Sequence, residues 1–509
     1  MEANVHADGT GEQAFEVLIL GAGFAGLAMA IALREQQDAL GLPPSKVALL
    51  EREPEIGGTW FVNRYPGCAC DVPSHLYSYS FARKPDWSRA YAPQAEILDY
   101  IREVAERFGV REQVRTGCDV QEARWDDAAG RWRLRAADGR RFSAPILITA
   151  TGGLSRPKWP ELPGMERFGG PTLHTAKWDE SVDLAGKRVA VIGTGASSIQ
   201  LVPQIAPRVA RLDLYQRTPP WILPREDAPI AEWSKRAMTK VPAISRLRRE
   251  GLRWRNDVRS IAFLRWTGFM SYARRWCEAH IRSQIADPEL RRKVTPDYAV
   301  GCKRILVADD YYPALCRDNV HLHTGGAVAI EAEGVRGSDD VVRPADVVVY
   351  ATGFEATRPL PDGVLFGPGG RDLAQYWGDC PFAYRGTAVA GFPNLFFVVG
   401  PNTGLGHSSM LIIIEAQARY IRELVRRVRA EGIDRIDVRA EAEARYNEAI
   451  QAKLAKAIWS SGCKSWYITA DGRNPTLWPG STFAFEQSLA SVRWEDFTLR
   501  AAAQEASDA

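Results

Sequence analysis

The chain has 509 residues, more than a single hydrophobic core accommodates, so two or three domains are expected. A composition of 46% hydrophobic and 25% charged residues with a net charge of +3 is that of an ordinary globular protein and points to neither nucleic acid nor an acidic partner. Eight cysteines, none in a Cys-x-x-Cys pair, suggest no zinc or other metal site and no disulfide framework, and fit a reducing cytoplasm. The polar N-terminus MEANVHADGTGEQ has no apolar signal core, and the run Met410 to Ile414 is far too short to span a bilayer, so no integral membrane segment is expected.

Taken in order, Phe15 to Leu20 reads as a buried parallel strand. Gly21, Gly23 and Gly26 come directly after it and open an Ala-rich helix. In such a turn the first glycine bends the chain, the second lets the backbone approach a pyrophosphate and the third lets helix pack on strand. The next strand, Lys46 to Leu50, ends in Glu51, whose carboxylate suits ribose hydroxyls and repels a 2′-phosphate. Gly57 to Asp71 (GGTWFVNRYPGCACD) reads as a wrapping loop, and Cys68 and Cys70 in it as buried small residues. Ala92 to Arg107 predicts an amphipathic helix, Trp125 to Arg141 a hairpin, and Pro145 to Thr149 a strand closing on Ala-Thr-Gly at 150–152. Pro157, Pro160 and Pro163 then make a stiff linker.

Strand, glycine turn and helix recur from Lys187, with Gly193 and Gly195 in place and Ser198 where a third glycine would stand. The following strand, Arg211 to Gln216, ends in Arg217-Thr218, a cationic end that can hold a 2′-phosphate. Lys235 to Arg282 is basic, with few acids (Glu250, Asp257, Glu278) and with Trp233, Trp254, Trp266 and Trp276 nearby. It reads as a helical insertion with a solvated face; a membrane-surface helix is the alternative. Asp346 to Gly353 is a strand ending in a second Ala-Thr-Gly, Leu395 to Gly400 is a buried strand, and Pro401 to Ser409 opens a long helix. The tail Trp459 to Phe485 is aromatic without helical period, which suits packing or the lining of a pocket.

Between the two glycine turns lies FGGPTLHTAKWD, in which Phe168, Gly170, His174, Trp178 and Asp179 fit the pattern Phe-x-Gly-x-x-x-His-x-x-x-Trp-Asp. This pattern, with Gly57, Gly58, Trp60, Tyr65, Pro66, Gly67 and Asp71 as a second one, resembles the Baeyer–Villiger monooxygenases over roughly Phe15 to Phe485. The resemblance implies an α/β fold of two Rossmann-like dinucleotide-binding domains: an FAD domain in two parts, 1–157 and 385–509, and an NADPH domain at 158–384 with the insertion at about 228–295. It places noncovalent FAD against Gly21, Gly23, Phe24, Ala25, Gly26, Glu51, Gly58, Thr59, Trp60, Asp71, Tyr77, Val120 and Asn402. NADPH falls to Gly193, Thr194, Gly195, Ala196, Ser197, Ser198, Gln200, Arg217, Thr218 and Lys303. Arg304 is implied as the catalytic arginine oriented by Asp71, and His174 and Trp178 as the control of domain linkage.

The implied reaction inserts one oxygen of O2 beside the carbonyl of a small apolar ketone, through a C4a-peroxyflavin, to give an ester or lactone. A monomer or small homo-oligomer in the cytoplasm is expected. The readings that compete are a flavin monooxygenase acting on nitrogen or sulfur, an NADPH oxidase or reductase without oxygen insertion, and a nucleotide-binding protein without catalysis.

Overall fold

A computed structural model describes residues 11–501 except 266, 358, 359 and 464, and except the side chains of 261–269; the N-terminal residues 1–10 and Trp266 therefore lie outside the described residues. Two parallel five-stranded sheets carry the fold. In the first, β1 (Val17–Leu20) is central, flanked by β2 (Val47–Leu50) and β6 (Ile146–Thr149), with β12 (Leu395–Phe397) beyond β6 and the short pair Val114–Arg115 beyond β2. Every residue of β1, β2, β6 and β12 is buried, as continuous apolar runs in a sheet covered on both faces must be. Helix α1 (Phe24–Arg34) follows β1 and packs against the long helix α8 (Met410–Ala430). Helix α2 (Gln94–Arg107) starts two residues inside the expected range. The expected hairpin is a three-stranded meander of β3 (Val120–Asp126), β4 (Arg131–Ala136) and β5 (Arg141–Ala144).

The second sheet repeats the plan. β8 (Arg188–Ile192) is central between β9 (Arg211–Gln216) and β11 (Val347–Tyr350), with β10 (Val320–Thr324) outside β9 and β7 (Thr172–His174) outside β11. Helix α3 (Ala196–Ile205) follows β8. The insertion is four helices, α4 (Glu232–Lys240), α5 (Pro242–Arg265), α6 (Thr267–Gln284) and α7 (Pro288–Val294). Beyond β11, Leu365–Phe366 pairs with Ala123 and Arg124 of β3, so the chain already touches the first domain's meander there, within the stretch 158–384. Helices α9 (Ala440–Leu454) and α10 (Thr482–Ser488) follow, and the strand Phe497–Ala501 then pairs antiparallel with Ile433–Val438. Among the described residues, no helix is long and apolar enough to cross a membrane.

One contact recurs in both sheets and fixes where each cradle opens. Gly21 has φ +99°, and a Cβ on it would sit 2.8 Å from the Ala150 carbonyl oxygen. Gly193 has φ +110°, and a Cβ there would sit 2.5 Å from the Ala351 carbonyl oxygen. The first glycine of each turn is thus pressed on the alanine of an Ala-Thr-Gly, a close approach only glycine permits. This is the physical content of the repeated tripeptide: it closes the neighbouring strand against the mouth of the turn.

Candidate active site

The N-terminus of α1 has no side-chain cap at Gly23, so its first backbone N–H groups are open to an anion. Gly26 packs directly on the Gly21 carbonyl, bringing helix down on strand. Opposite stands the second loop: a Cβ on Gly23 would lie 3.4 Å from the Gly58 Cα, and one on Gly58 3.1 Å from the Gly23 Cα. Two side-chain-free backbones therefore pack directly on each other, which brings the second loop down onto the start of α1. Glu51 is buried; its carboxylate accepts from the Ala22 N–H (2.7 Å) and the Glu53 N–H (2.9 Å), and burial raises its pKa. Gly57–Asp71 is a loop as expected, except that Thr59–Val62 makes one helical turn. Trp60 donates to the Tyr77 hydroxyl at 3.1 Å, and the Phe24 ring meets Tyr77 edge-on at 5.4 Å, so Phe24, Trp60 and Tyr77 form one aromatic wall. Val120 begins β3, half-buried against the meander core.

At α3 the cap is again missing: Gly195 has no side-chain cap, and a Cβ there would meet nothing within 4 Å, so this cradle is open. Ser198 is fully buried in the place of a third glycine. Thr194 donates its hydroxyl to the Thr218 carbonyl at 3.1 Å, tying the turn to the end of β9. Exposed Arg217 lies close enough to Lys303 for its charge to lower the lysine pKa, second to burial, and the Lys303 ammonium sits 4.6 Å from the Tyr298 ring centre. Two neighbouring cations beside an open helix N-terminus suit a phosphorylated ligand. The side-chain amide of Gln200, expected at the cofactor, also bonds to the loop. Its Oε1 accepts from the Tyr65 hydroxyl (2.9 Å) and the Ala69 N–H (3.3 Å), and its Nε2 donates to the Ala69 carbonyl (3.0 Å). It is an interdomain clamp.

The expected reactive pair meets. Arg304 donates from Nε (3.0 Å) and from one terminal nitrogen (2.6 Å) to the same Asp71 oxygen, 233 residues away in sequence. The carboxylate raises the pKa of the guanidinium further. Tyr467 of the tail is buried beside it, and burial, opposed by the Arg304 charge, raises that phenol. Cys68 and Cys70 are free and buried, as expected; burial pushes the Cys68 thiol up to about 12 and the Cys70 thiol up as well, which leaves both inert. One expectation fails: Cys302, two residues before Arg304, forms a disulfide with Cys463 of the tail. The partners are 161 residues apart, so no spacing rule could show them. Among the described residues no cluster could hold a metal.

The tail lies over this centre. Asn402 (φ +56°), expected at the cofactor, donates its amide to the carbonyls of Asn474 (2.6 Å) and Leu477 (3.1 Å) and so holds the tail down. Sequence reading missed a second anchor. Asp257 of α5, buried, accepts from the Thr482 N–H (3.0 Å), its hydroxyl (2.7 Å) and the Phe483 N–H (3.2 Å). His407 is buried at 3.9 Å from Asp257, and burial lowers its pKa to about 4 against the pull of that carboxylate. A lone histidine in a loop carries no signal that would have marked it.

The motif at 168–179 is an edge strand and its exit. His174 pairs with Tyr350 through β7 and β11. Fully buried, it accepts at Nδ1 from the Ala176 N–H (3.0 Å), which leaves the proton on Nε2, 3.3 Å from the Thr352 hydroxyl of the second Ala-Thr-Gly. Burial lowers its pKa to about 4. A Cβ on Gly170 would strike the Asp346 carbonyl at 2.5 Å and the Phe168 ring at 2.9 Å, which accounts for the glycine. Trp178 is buried in the main core, and Asp179 is an exposed turn residue bound to Ser181.

A family model described as pyridine nucleotide-disulphide oxidoreductase matches residues 18–244. A "Baeyer-Villiger monooxygenase" of Pseudomonas aeruginosa is 46% identical over 472 residues, 92% of this chain and 88% of that protein. The crystal structure of cyclohexanone monooxygenase from Rhodococcus sp. Phi1 bound to NADP+ superposes with a TM-score of 0.84 at 29% identity, covering 96% of this chain and 100% of that one. The structure of OTEMO in complex with FAD and NADP gives 0.85 at 25% identity, covering 95% and 99%.

Two measurements test this geometry. His174 and His407 are neutral when folded and bind protons in the unfolded chain below the ordinary pKa of about 6.5. Their stabilisation is complete above that value and is lost as pH falls toward 4, by up to about 3 kcal/mol each. Asp437 and Glu443, raised by burial to about 6 and about 7, work in the opposite direction over the same window, so the test is a difference: compared with the parent, His174→Gln should lose less of its thermal midpoint as pH falls from about 6.5 to about 4, and an unchanged slope would remove His174 from the account. Alkylation of the denatured, unreduced chain should label six cysteines and spare Cys302 and Cys463, with all eight labelled after reduction.

Proposed function

The chain belongs to the Baeyer–Villiger monooxygenase family, and from that premise we propose that it is an FAD- and NADPH-dependent enzyme inserting one oxygen atom of O2 beside the carbonyl of a small apolar ketone to give an ester or lactone. The observation that carries this reading is the Arg304–Asp71 pair, formed beside the tail residue Tyr467 in a chain that also carries two glycine turns. The uncapped start of α1, with the glycine loop at Gly58 packed against it, fits FAD, with Glu51 at the ribose end. The open Gly195 face with Arg217 and Lys303 fits NADPH and its 2′-phosphate. FAD, when bound, supplies the electron transfer from NADPH and the activation of O2.

The protein's own part is positional and electrostatic. Arg304 supplies a fixed cation to the negative charge that develops on oxygen during insertion. Asp71 holds the guanidinium through two N–H groups on one oxygen, which aims it and moderates its charge. The tail, held by Asn402, Asp257 and the Cys302–Cys463 bond, limits water at that ion pair and strengthens it. His174 ties the edge strand to Thr352 of the second Ala-Thr-Gly through a buried neutral imidazole, the link through which the motif would couple the two cofactor sites.

Arg304→Ala should still bind FAD and accept electrons from NADPH, while ester formation falls about 10²–10³-fold and the NADPH consumed appears as hydrogen peroxide. Stopped-flow spectra with product analysis separate the two halves; near-parental ester formation would overturn the assignment of Arg304. Arg217→Ala should raise KM for NADPH about 10- to 150-fold, the worth of one charge-assisted contact of about 1.5–3 kcal/mol, and leave KM for NADH nearly unchanged. An equal loss with both cofactors would count against a 2′-phosphate contact.

A further inference from the structure

Helix α5 is built inside out. Its buried row is polar: Ser245, Arg249, Asn256, Asp257 and Ser260. Its outward row is apolar: Ile244 is 42% exposed, Leu247 72%, Trp254 51% and Val258 63%. Steps of three, seven and four residues put these four on one stripe, opposite the buried row. An ordinary surface helix runs the other way, because covering each such side chain is worth about 1.5–3 kcal/mol. The buried row has a reason in the fold: Asp257 anchors Thr482, and Arg249 donates to the carbonyls of Leu76 (2.9 Å) and Ser78 (2.6 Å). Among the described residues the outer row anchors nothing of this kind and stays open to solvent. The stripe continues into Phe483, whose ring lies 5.8 Å from that of Trp254, and on α4 Trp233 is 75% exposed.

Charge indicates what covers this face. Arg248, Arg255 and Arg259, spaced by seven and four, form the row beside the stripe, and all three are exposed; Arg236 and Lys240 of α4 add to them. Of the nearby acids, Glu232 pairs with Lys235 and Glu250 with Arg253, and Glu226, close to Arg259, offsets only part of this five-cation row. A second copy related by two-fold symmetry would set this cationic row against itself. An apolar stripe carrying tryptophan and flanked by arginines is complementary to the boundary of an anionic bilayer: the stripe enters the acyl edge and the guanidinium groups meet lipid phosphates.

We propose that the outer face of α5, with α4 and Phe483, docks the protein reversibly on an anionic lipid surface. This docking is independent of the reaction proposed above. The test is flotation of the full-length protein with phosphatidylcholine vesicles and with phosphatidylcholine–phosphatidylglycerol vesicles. Binding is expected to the second only, reversed by salt, and absent in the double variant Leu247→Glu/Val258→Glu. Arg248→Gln and Arg255→Gln should each weaken partitioning about fivefold, corresponding to about 1 kcal/mol per cation at the surface. All four positions are exposed, and bound flavin and thermal midpoint, read alongside, should match the parent. The proposal fails if the parent ignores anionic vesicles at low salt, or if the double variant binds them as the parent does. It also fails if sedimentation shows a parental dimer that the double variant dissolves while no vesicle binding occurs, which assigns the face to a second copy.

Discussion

The organisation of this protein depends on an ion pair between domains. Asp71 belongs to a loop of the first domain and Arg304 to the second, and neither would be placed without the contacts that draw that loop across. Gln200 grips Ala69 and Tyr65, Arg225 donates to the Cys70 carbonyl at 2.8 Å, and Arg89 pairs with Asp227 at 2.9 Å. Gly67 is pressed against the Gln200 carbonyl, where a Cβ would stand at 2.6 Å. A partly buried ion pair stabilises little by itself, since desolvation offsets much of the attraction. Its value here is geometric: it fixes a cation between the loop that carries Asp71 and the segment that carries Arg304.

That arrangement explains which parts were legible in the sequence. Both cradles were, because each rests on local order: a strand, a glycine turn and a helix within a few residues. The different ends of the two sites, Glu51 against Arg217, were legible for the same reason. The Arg304–Asp71 pair came from family resemblance, since no periodicity joins residues 233 apart. The Cys302–Cys463 bond, the Asp257 anchor under Thr482 and the burial of His407 were not legible, because all three exist only after the tail has folded over the second domain. Asn402 and Gln200 show a related limit of local reading: a motif position marks where a residue stands, and the hydrogen bonds its side chain makes there depend on chain far away in sequence.

The disulfide changes how the tail is understood. Aromatic residues alone would cover the centre by packing, and Trp459, Tyr467, Trp478 and Phe485 are indeed buried. Covalent closure between the tail and Cys302, the residue just before Lys303-Arg304, removes chain entropy that packing alone would have to overcome, an effect that grows with loop length. It also means that the cover and the arginine cannot be displaced separately.

The inverted polarity of α5 follows from the same need to hold parts together. A helix laid across a junction of loops meets mainly backbone carbonyls and N–H groups, so its inner face must offer donors and acceptors. Arg249 and Asp257 meet that demand, and Glu415, which accepts from the Ser80 N–H at 2.8 Å, balances the arginine's charge at 3.7 Å. Removing Glu415 would leave the Arg249 charge buried and without its carboxylate, at a cost of about 3–5 kcal/mol. With its polar side chains committed inward, the helix has its apolar residues on the outside. The insertion is thus a strut between domain and cover, and its exposed stripe is what that strut presents to its surroundings.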